Sequence, residues 1–167
     1  MESGRESRQC ATVSNTPAAS EGQGDVTKAK ILCVEDDPEM IDLVTLILGK
    51  AGYEVIGADG GANGLEAMRQ EQPDLVLLDL MMPGMDGAEV LLRKGEDESI
   101  RHIPVIALTA LNSPFDQIMW LARTDLEDFI VKSRFSHREL IARIERVLQA
   151  HYPAGDGSAV SEVRESR

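Results

Sequence analysis

An α/β fold, a five-stranded parallel sheet with helices on both faces, is what this sequence predicts, on two observations. Short apolar runs alternate along the chain with amphipathic segments, the pattern of repeated strand and helix units. Hydrophobic residues make up 43% of the 167 residues while aromatics make up only 4%. The core is therefore to be built from Val, Ile, Leu, Ala and Met, which suits a buried parallel sheet.

Residues 30–34, Lys-Ile-Leu-Cys-Val, form the first expected strand. Asp37 then caps a helix with Pro38 at its first position, where proline's missing N–H costs nothing. Met40, Leu43, Val44, Ile47 and Leu48 recur at helical spacing, and Gly52 closes the helix. Residues 53–58 make the second strand, 65–71 belong to a second helix, and 75–78 are the most continuous apolar strand. A third helix spans 87–94 and a fourth strand 105–108, after which Ser113 and Pro114 open a fourth helix as cap and first residue. Residues 129–131 make the fifth strand, and 137–151 a last helix carrying Leu140, Ile141, Ile144, Val147 and Leu148 on one face.

The folded unit is expected to span 29–151. Residues 1–28, rich in Ser, Gly, Gln, Glu and Thr, cannot bury enough apolar surface to offset the entropy of ordering and are expected to form a disordered tail. Residues 152–167 are expected to be a second, flexible tail. A formal charge of −12 argues against nucleic acid as a direct partner, since phosphate backbones are bound by clustered Lys and Arg. No apolar run approaches the ~18 residues a membrane span needs, and residues 1–28 hold no signal-peptide core. Cys10 and Cys33 imply no disulfide framework. The expectation is a cytoplasmic protein.

The polar residues that follow the strands carry the chemistry. Glu35 and Asp36 follow the first strand, Asp79 the third, Thr109 the fourth and Lys132 the fifth. Right-handed crossovers bring all carboxyl ends of a parallel sheet to one edge, where ligands bind in doubly wound folds. Three carboxylates gathered there repel one another unless a cation neutralises them. Magnesium, which takes one or two carboxylates together with waters and phosphate oxygens, answers that need through Asp36 and Asp79. Asp79 is then both ligand and nucleophile for an aspartyl-phosphate, with Lys132 and the Thr109 hydroxyl to meet the transferred oxygens.

Four segments in order resemble the CheY-like receiver domains of bacterial response regulators: 31–38 (Ile-Leu-Cys-Val-Glu-Asp-Asp-Pro), 78–87 (Leu-Asp-Leu-Met-Met-Pro-Gly-Met-Asp-Gly), 108–110 (Leu-Thr-Ala) and 128–132 (Asp-Phe-Ile-Val-Lys). The resemblance covers roughly 29–151 and implies a (βα)5 flavodoxin-like fold of the stand-alone receiver type. It implies Asp79 as phosphoacceptor, Asp36 as direct Mg2+ ligand, Glu35 as a ligand through water, and Met81 as a backbone-carbonyl ligand. Thr109 and Phe129 match the positions that move together on phosphorylation. The implied partners are a histidine kinase or histidine phosphotransfer protein. Downstream lies a target protein, or a homodimer formed through the fourth helix, fifth strand and fifth helix, unless the chain acts as a relay or phosphate sink. The chain would catalyse only its own Mg-assisted phosphorylation and dephosphorylation.

Two departures from the family pattern stand out. Ser133 follows Lys132 where relatives usually have Pro after a cis bond, and a cis bond before Ser costs ~2.5–4 kcal/mol. Either the bond is trans with a rearranged loop, or it is a strained cis bond. Thr124 and Asp125 stand where relatives often carry Gly. A pseudo-receiver scaffold that is not phosphorylated is the alternative function. A hydrolytic phosphatase would need a second Asp where Met81 stands. Trp120 falls outside the register of Phe115, Ile118, Met119 and Ala122, which suits either a partner contact or core packing. Ile41 and Leu46 extend the apolar surface of the first helix, for a kinase helical bundle or for the N-terminal tail to cover.

Overall fold

The computed structural model describes residues 27–110, 113, 116, 118–120 and 124–153. The two expected tails lie mostly outside the described residues, as do Pro114, Phe115 and Ala122 of the expected fourth helix.

Five strands make one parallel sheet: β1 (Lys30–Glu35), β2 (Glu54–Asp59), β3 (Leu75–Leu78), β4 (Val105–Thr109) and β5 (Leu126–Val131). Four helices are bounded in full: α1 (Pro38–Lys50), α2 (Gly61–Glu71), α3 (Gly87–Glu96) and α4 (His137–His151). Asp116, Ile118, Met119 and Trp120, between β4 and β5, are helical as well. The strand order is β2-β1-β3-β4-β5 with every pair parallel, the doubly wound flavodoxin-like order.

Alternation along the strands divides the core into two layers. Leu32, Val34, Val76, Leu78, Val105 and Ala107 face α2 and α3, whose Leu65, Met68 and Val90 complete that layer. Ile31, Cys33, Leu75, Leu77, Ile106 and Leu108 face α1 and α4, and meet Val44, Leu48, Leu140 and Ile144. Adjacent strand residues point to opposite faces, so a continuous apolar run serves both layers. On β5 the period slips. Leu126 and Phe129, three apart, share the first layer, because a register irregularity opposite Val105 and Ile106 absorbs one residue.

The expected cap of α1 is present: Asp37 Oδ1 accepts from the Glu39 N–H at 3.0 Å, with Pro38 at the start of the helix. Two further caps have a sequence signature of their own. Asp86 accepts from the Glu89 N–H at 2.9 Å, and Ser136 from the Glu139 N–H at 3.2 Å. Each pairs a capping residue with a glutamate three positions on. Gly52 turns the chain out of α1 at φ +90°, a conformation open to glycine at little cost.

Two expectations about helix faces are corrected. Ile118 is 63% exposed, whereas Trp120 is half-buried and packs on the first layer; the tryptophan, not Ile118, faces the core. Leu43, placed in the apolar register of α1, is 39% exposed, while Ile41 packs on the second layer. A Cβ at Gly57 would fall 2.5 Å from Ile41 Cγ2. The glycine of β2 thus makes room for an isoleucine that helical spacing alone left outside the core.

Candidate functional site at the carboxyl edge of the sheet

β1 and β3 are neighbours whose chains leave in opposite directions, β1 toward β2 and β3 toward β4. This is the topological switch point, where a crevice opens at the carboxyl ends of the strands. Backbone hydrogen bonds fix the polar residues beside it. The Asp79 N–H donates to the Val34 carbonyl at 2.9 Å, so the residue after β3 sits against the end of β1. The Lys132 N–H donates to the Thr109 carbonyl at 2.9 Å, holding the residue after β5 against the end of β4. After Asp79 the chain turns sharply into α3, with the Gly87 N–H on the Leu80 carbonyl at 3.1 Å. A Cβ on Gly87 would lie 2.6 Å from Leu80 Cα, so that turn requires glycine.

These constraints bring the expected residues together. One carboxylate oxygen from each of Glu35, Asp36 and Asp79 lies within 4.8 Å of the others. The Lys132 ammonium stands 2.9 Å from Asp79 Oδ2, donating a hydrogen bond, and 2.5 Å from Glu35 Oε2. That second contact is an ion pair by distance but lacks hydrogen-bond direction, and Glu35 Oε2 has no hydrogen-bond partner. Glu35, Asp79 and Thr109 are buried, at 1%, 3% and 0% exposure, while Asp36 is exposed. Asp79 Oδ1 accepts from the Met81 N–H at 3.0 Å, and the Met81 side chain projects outward, 62% exposed. Phe129 is buried in the first layer.

The electrostatics follow from this crowding. Burial pushes the Glu35 carboxyl up to about 7; Lys132 pulls it down, and the neighbouring Asp79 charge raises it further. Burial works against the Lys132 ammonium, but Glu35 and Asp79 outweigh it and hold its pKa above the ordinary lysine value. Beneath the site, burial pushes the Cys33 thiol up to about 12, with the Glu35 charge adding to the rise. Cys33 is thus a packed core residue rather than a nucleophile.

The residues present fit a hard divalent cation. All three carboxylates are oxygen donors, one of them is exposed to admit an ion, and a buried carboxylate oxygen is left without a hydrogen bond. One lysine does not neutralise three carboxylates, so a second cation has a place here.

No described peptide bond is cis, so Lys132–Ser133 takes the trans alternative. The Arg134 and Phe135 N–H groups both donate to the Val131 carbonyl, at 3.0 and 3.2 Å, closing a tight turn after β5. Phe135 anchors this turn on the second layer. Lys132 reaches Asp79 because its own backbone is tied to β4, so its aim does not depend on a proline after it. The other departure is also accommodated: Thr124 Oγ1 donates to the Trp120 carbonyl at 2.6 Å. Glu35 is not the exposed acid that its residue type suggests. The signal for this was strand parity, which places it on the side of Ile31 and Cys33.

A doubly wound α/β protein with a lysine-bridged acidic crevice at its switch point is the class that fold and site define. The chain belongs to the response regulator receiver domain family, whose model matches residues 31–145. Among solved structures, the N-terminal domain of a response regulator receiver protein from Methanoculleus marisnigri is 40% identical, with a TM-score of 0.59 over 72% of this chain and 97% of that one. The BeF3-activated N-terminal receiver domain of Klebsiella pneumoniae RstA is 36% identical, with a TM-score of 0.64 over 72% and 98%. The signal receiver domain of a signal transduction histidine kinase from Syntrophus aciditrophicus is 28% identical, with a TM-score of 0.67 over 79% and 98%. No described helix is long and apolar enough to cross a membrane.

Proposed function

We propose that this receiver is a phosphorylation-controlled switch in which Asp79 takes a phosphoryl group from a histidine kinase or histidine phosphotransfer protein. The observation that carries the reading is the Lys132 ammonium 2.9 Å from Asp79 Oδ2 in a crevice shared with Glu35 and Asp36. An Asp79 carboxylate oxygen attacks phosphorus, and the new O–P bond forms as the P–N bond to the donor imidazole breaks. The electron pair leaves with the imidazole nitrogen, which takes up a proton. Lys132 and the Thr109 hydroxyl stabilise charge on the transferred oxygens.

Asp36, Asp79 and the Met81 carbonyl are the residues that would hold Mg2+, with Glu35 acting through water. When bound, Mg2+ supplies positive charge that offsets the crowded carboxylates and the incoming phosphoryl oxygens. Movement of the Thr109 hydroxyl toward the phosphoryl group, with rotation of Phe129, would shift the surface formed by β5, α4 and the helical residues around Trp120. That shift alters binding of a downstream target or a second copy in the cytoplasm. The chain transforms no separate substrate. The pseudo-receiver alternative rested on Ser133, and since Lys132 meets Asp79 all the same, no observation favours it.

Intact mass after acetyl phosphate or phosphoramidate treatment with Mg2+ tests this reading. The expected result is one added phosphoryl group, lost in Asp79→Asn. A chain that stays unmodified would be a scaffold.

A further inference from the structure

Of the four strands that lead into site residues, β5 alone lies at an edge of the sheet, hydrogen-bonded to β4 on one side and, among the described residues, to no strand on the other. Its ladder is also interrupted. Val105 pairs with Leu126 and Ile106 with Asp128, which leaves Glu127 as an extra residue near the start of the strand. A bulged edge strand has fewer ladder hydrogen bonds to fix its backbone than an inner strand has. Yet Lys132, the residue after β5, reaches across β4 and β3 to meet Asp79 at 2.9 Å.

Side chains close the strand just past the bulge. The Phe129 N–H donates to Asp128 Oδ1 at 2.8 Å, and the Phe129 carbonyl accepts from Arg143 Nη1 at 2.9 Å. The same Nη1 donates to Asp128 Oδ1 at 2.6 Å, so the three contacts form a closed ring that occupies both backbone groups of Phe129. Arg143 is itself braced on α4, where its Nε and Nη2 donate to Glu139 at 3.2 and 2.9 Å. A planar guanidinium can serve the backbone carbonyl and two carboxylates at once, which an ammonium cannot do in the same geometry. Arg146 differs in that it meets β5 through the Asp128 side chain. We propose that Arg143 is a positioning residue for phosphoryl transfer: it clips β5 at Phe129 and so fixes the strand that carries the Lys132 ammonium to Asp79. This role rests on the reading of Asp79 as phosphoacceptor, and Arg143 works through Lys132 rather than on the phosphoryl group.

The test is a double-variant cycle in the full chain, with the rate of Asp79 labelling by acetyl phosphate in Mg2+ read by intact mass. Arg143→Ala should slow labelling about tenfold, the usual cost of removing a partner that stands behind a contacting group. On the Lys132→Ala background the same change should alter the rate by less than about twofold, because the group it positions is gone. Arg146→Ala, which takes a cation from the same Asp128, should be labelled as the parent is. Equal slowing on both backgrounds would make Arg143 a general support of the fold and overturn the proposal. Equal slowing in Arg146→Ala would assign the effect to charge and overturn it too. If circular dichroism shows Arg143→Ala to be unfolded, Arg143→Lys, which keeps the charge and gives up the fork, takes its place in the cycle with the same pattern expected. A parent that takes no phosphoryl group defeats the reading of Asp79 and this role with it, whereas a labelled parent matched in rate by Arg143→Ala defeats this role alone.

Discussion

Each end of the sheet sets one lysine among three carboxylates. At the amino end, Lys30 Nζ lies 3.2 Å from Glu71 and 4.0 Å from Glu54, while the Lys30 N–H donates to Asp74 at 2.7 Å. At the carboxyl end, Lys132 meets Asp79 and Glu35 with Asp36 alongside. The residue types match and the surroundings do not. The Glu71 and Glu54 side chains are 45% and 53% exposed, whereas those of Glu35 and Asp79 are 1% and 4% exposed. Water screens the first group, so its ion pairs are worth about 0.2–1 kcal/mol. The second has lost that screening, and its charges are forced to deal with one another through proton uptake, the lysine and a cation. Reactivity in this molecule comes from where the acids are buried rather than from their number.

The largest effect that can break this contrast is on phosphoryl transfer. Asp79→Asn should abolish modification by small phosphodonors, and Glu71→Gln should leave it unchanged by mass spectrometry. Lys132→Ala should slow the reaction about 10²–10³-fold in Mg2+, the usual cost of removing one stabilising donor, while Lys30→Ala stays within about twofold of the parent. Equal rates for Lys132→Ala and the parent would mean that its contact with Asp79 has no role in transfer.

Stability against pH sharpens the same contrast. The folded state keeps the Glu35 proton up to about 7, while the unfolded chain releases it near 4.5. The folded state therefore binds more protons between those values, and stability falls as pH rises through that window. In Mg2+-free buffer the loss should reach at most about 3 kcal/mol, and Glu35→Gln should flatten it. Denaturant unfolding at a series of pH values checks this; a slope unchanged in Glu35→Gln would assign it to another group. A smaller effect is expected on the cation. Asp36→Asn should weaken Mg2+ binding about tenfold, or about 1.4 kcal/mol, by fluorescence titration. The smallest is at the amino end, where Lys30→Ala should cost under about 1 kcal/mol of stability.

The strands and the site were legible because both rest on local pattern. The runs at 75–78 and 137–151 coincide with β3 and α4, and the strand-end residues Glu35, Asp36, Asp79 and Lys132 come together, with the Lys132 backbone tied to Thr109, because parallel topology leaves them one edge. Boundaries were less legible where long-range contacts set them. β5 begins at Leu126 rather than Phe129 because pairing with β4 extends it across an irregular register. α2 begins at Gly61, whose close approach to Met85 and Val90 no local propensity announces. Of the two alternatives open for Trp120, core packing is the one found, and Ile118 was placed in the inward register wrongly because helical spacing gives a stripe but not which stripe meets the sheet. Likewise, the Arg143 clamp on Asp128 (2.6 Å) and the Phe129 carbonyl (2.9 Å) joins elements that sequence spacing does not relate.

The most direct measurement is borohydride trapping after acetyl phosphate treatment in Mg2+, followed by peptide mass spectrometry. Reduction of an aspartyl-phosphate leaves homoserine, and the account predicts that residue at position 79 alone. Homoserine at any other aspartate, or at none, would contradict it.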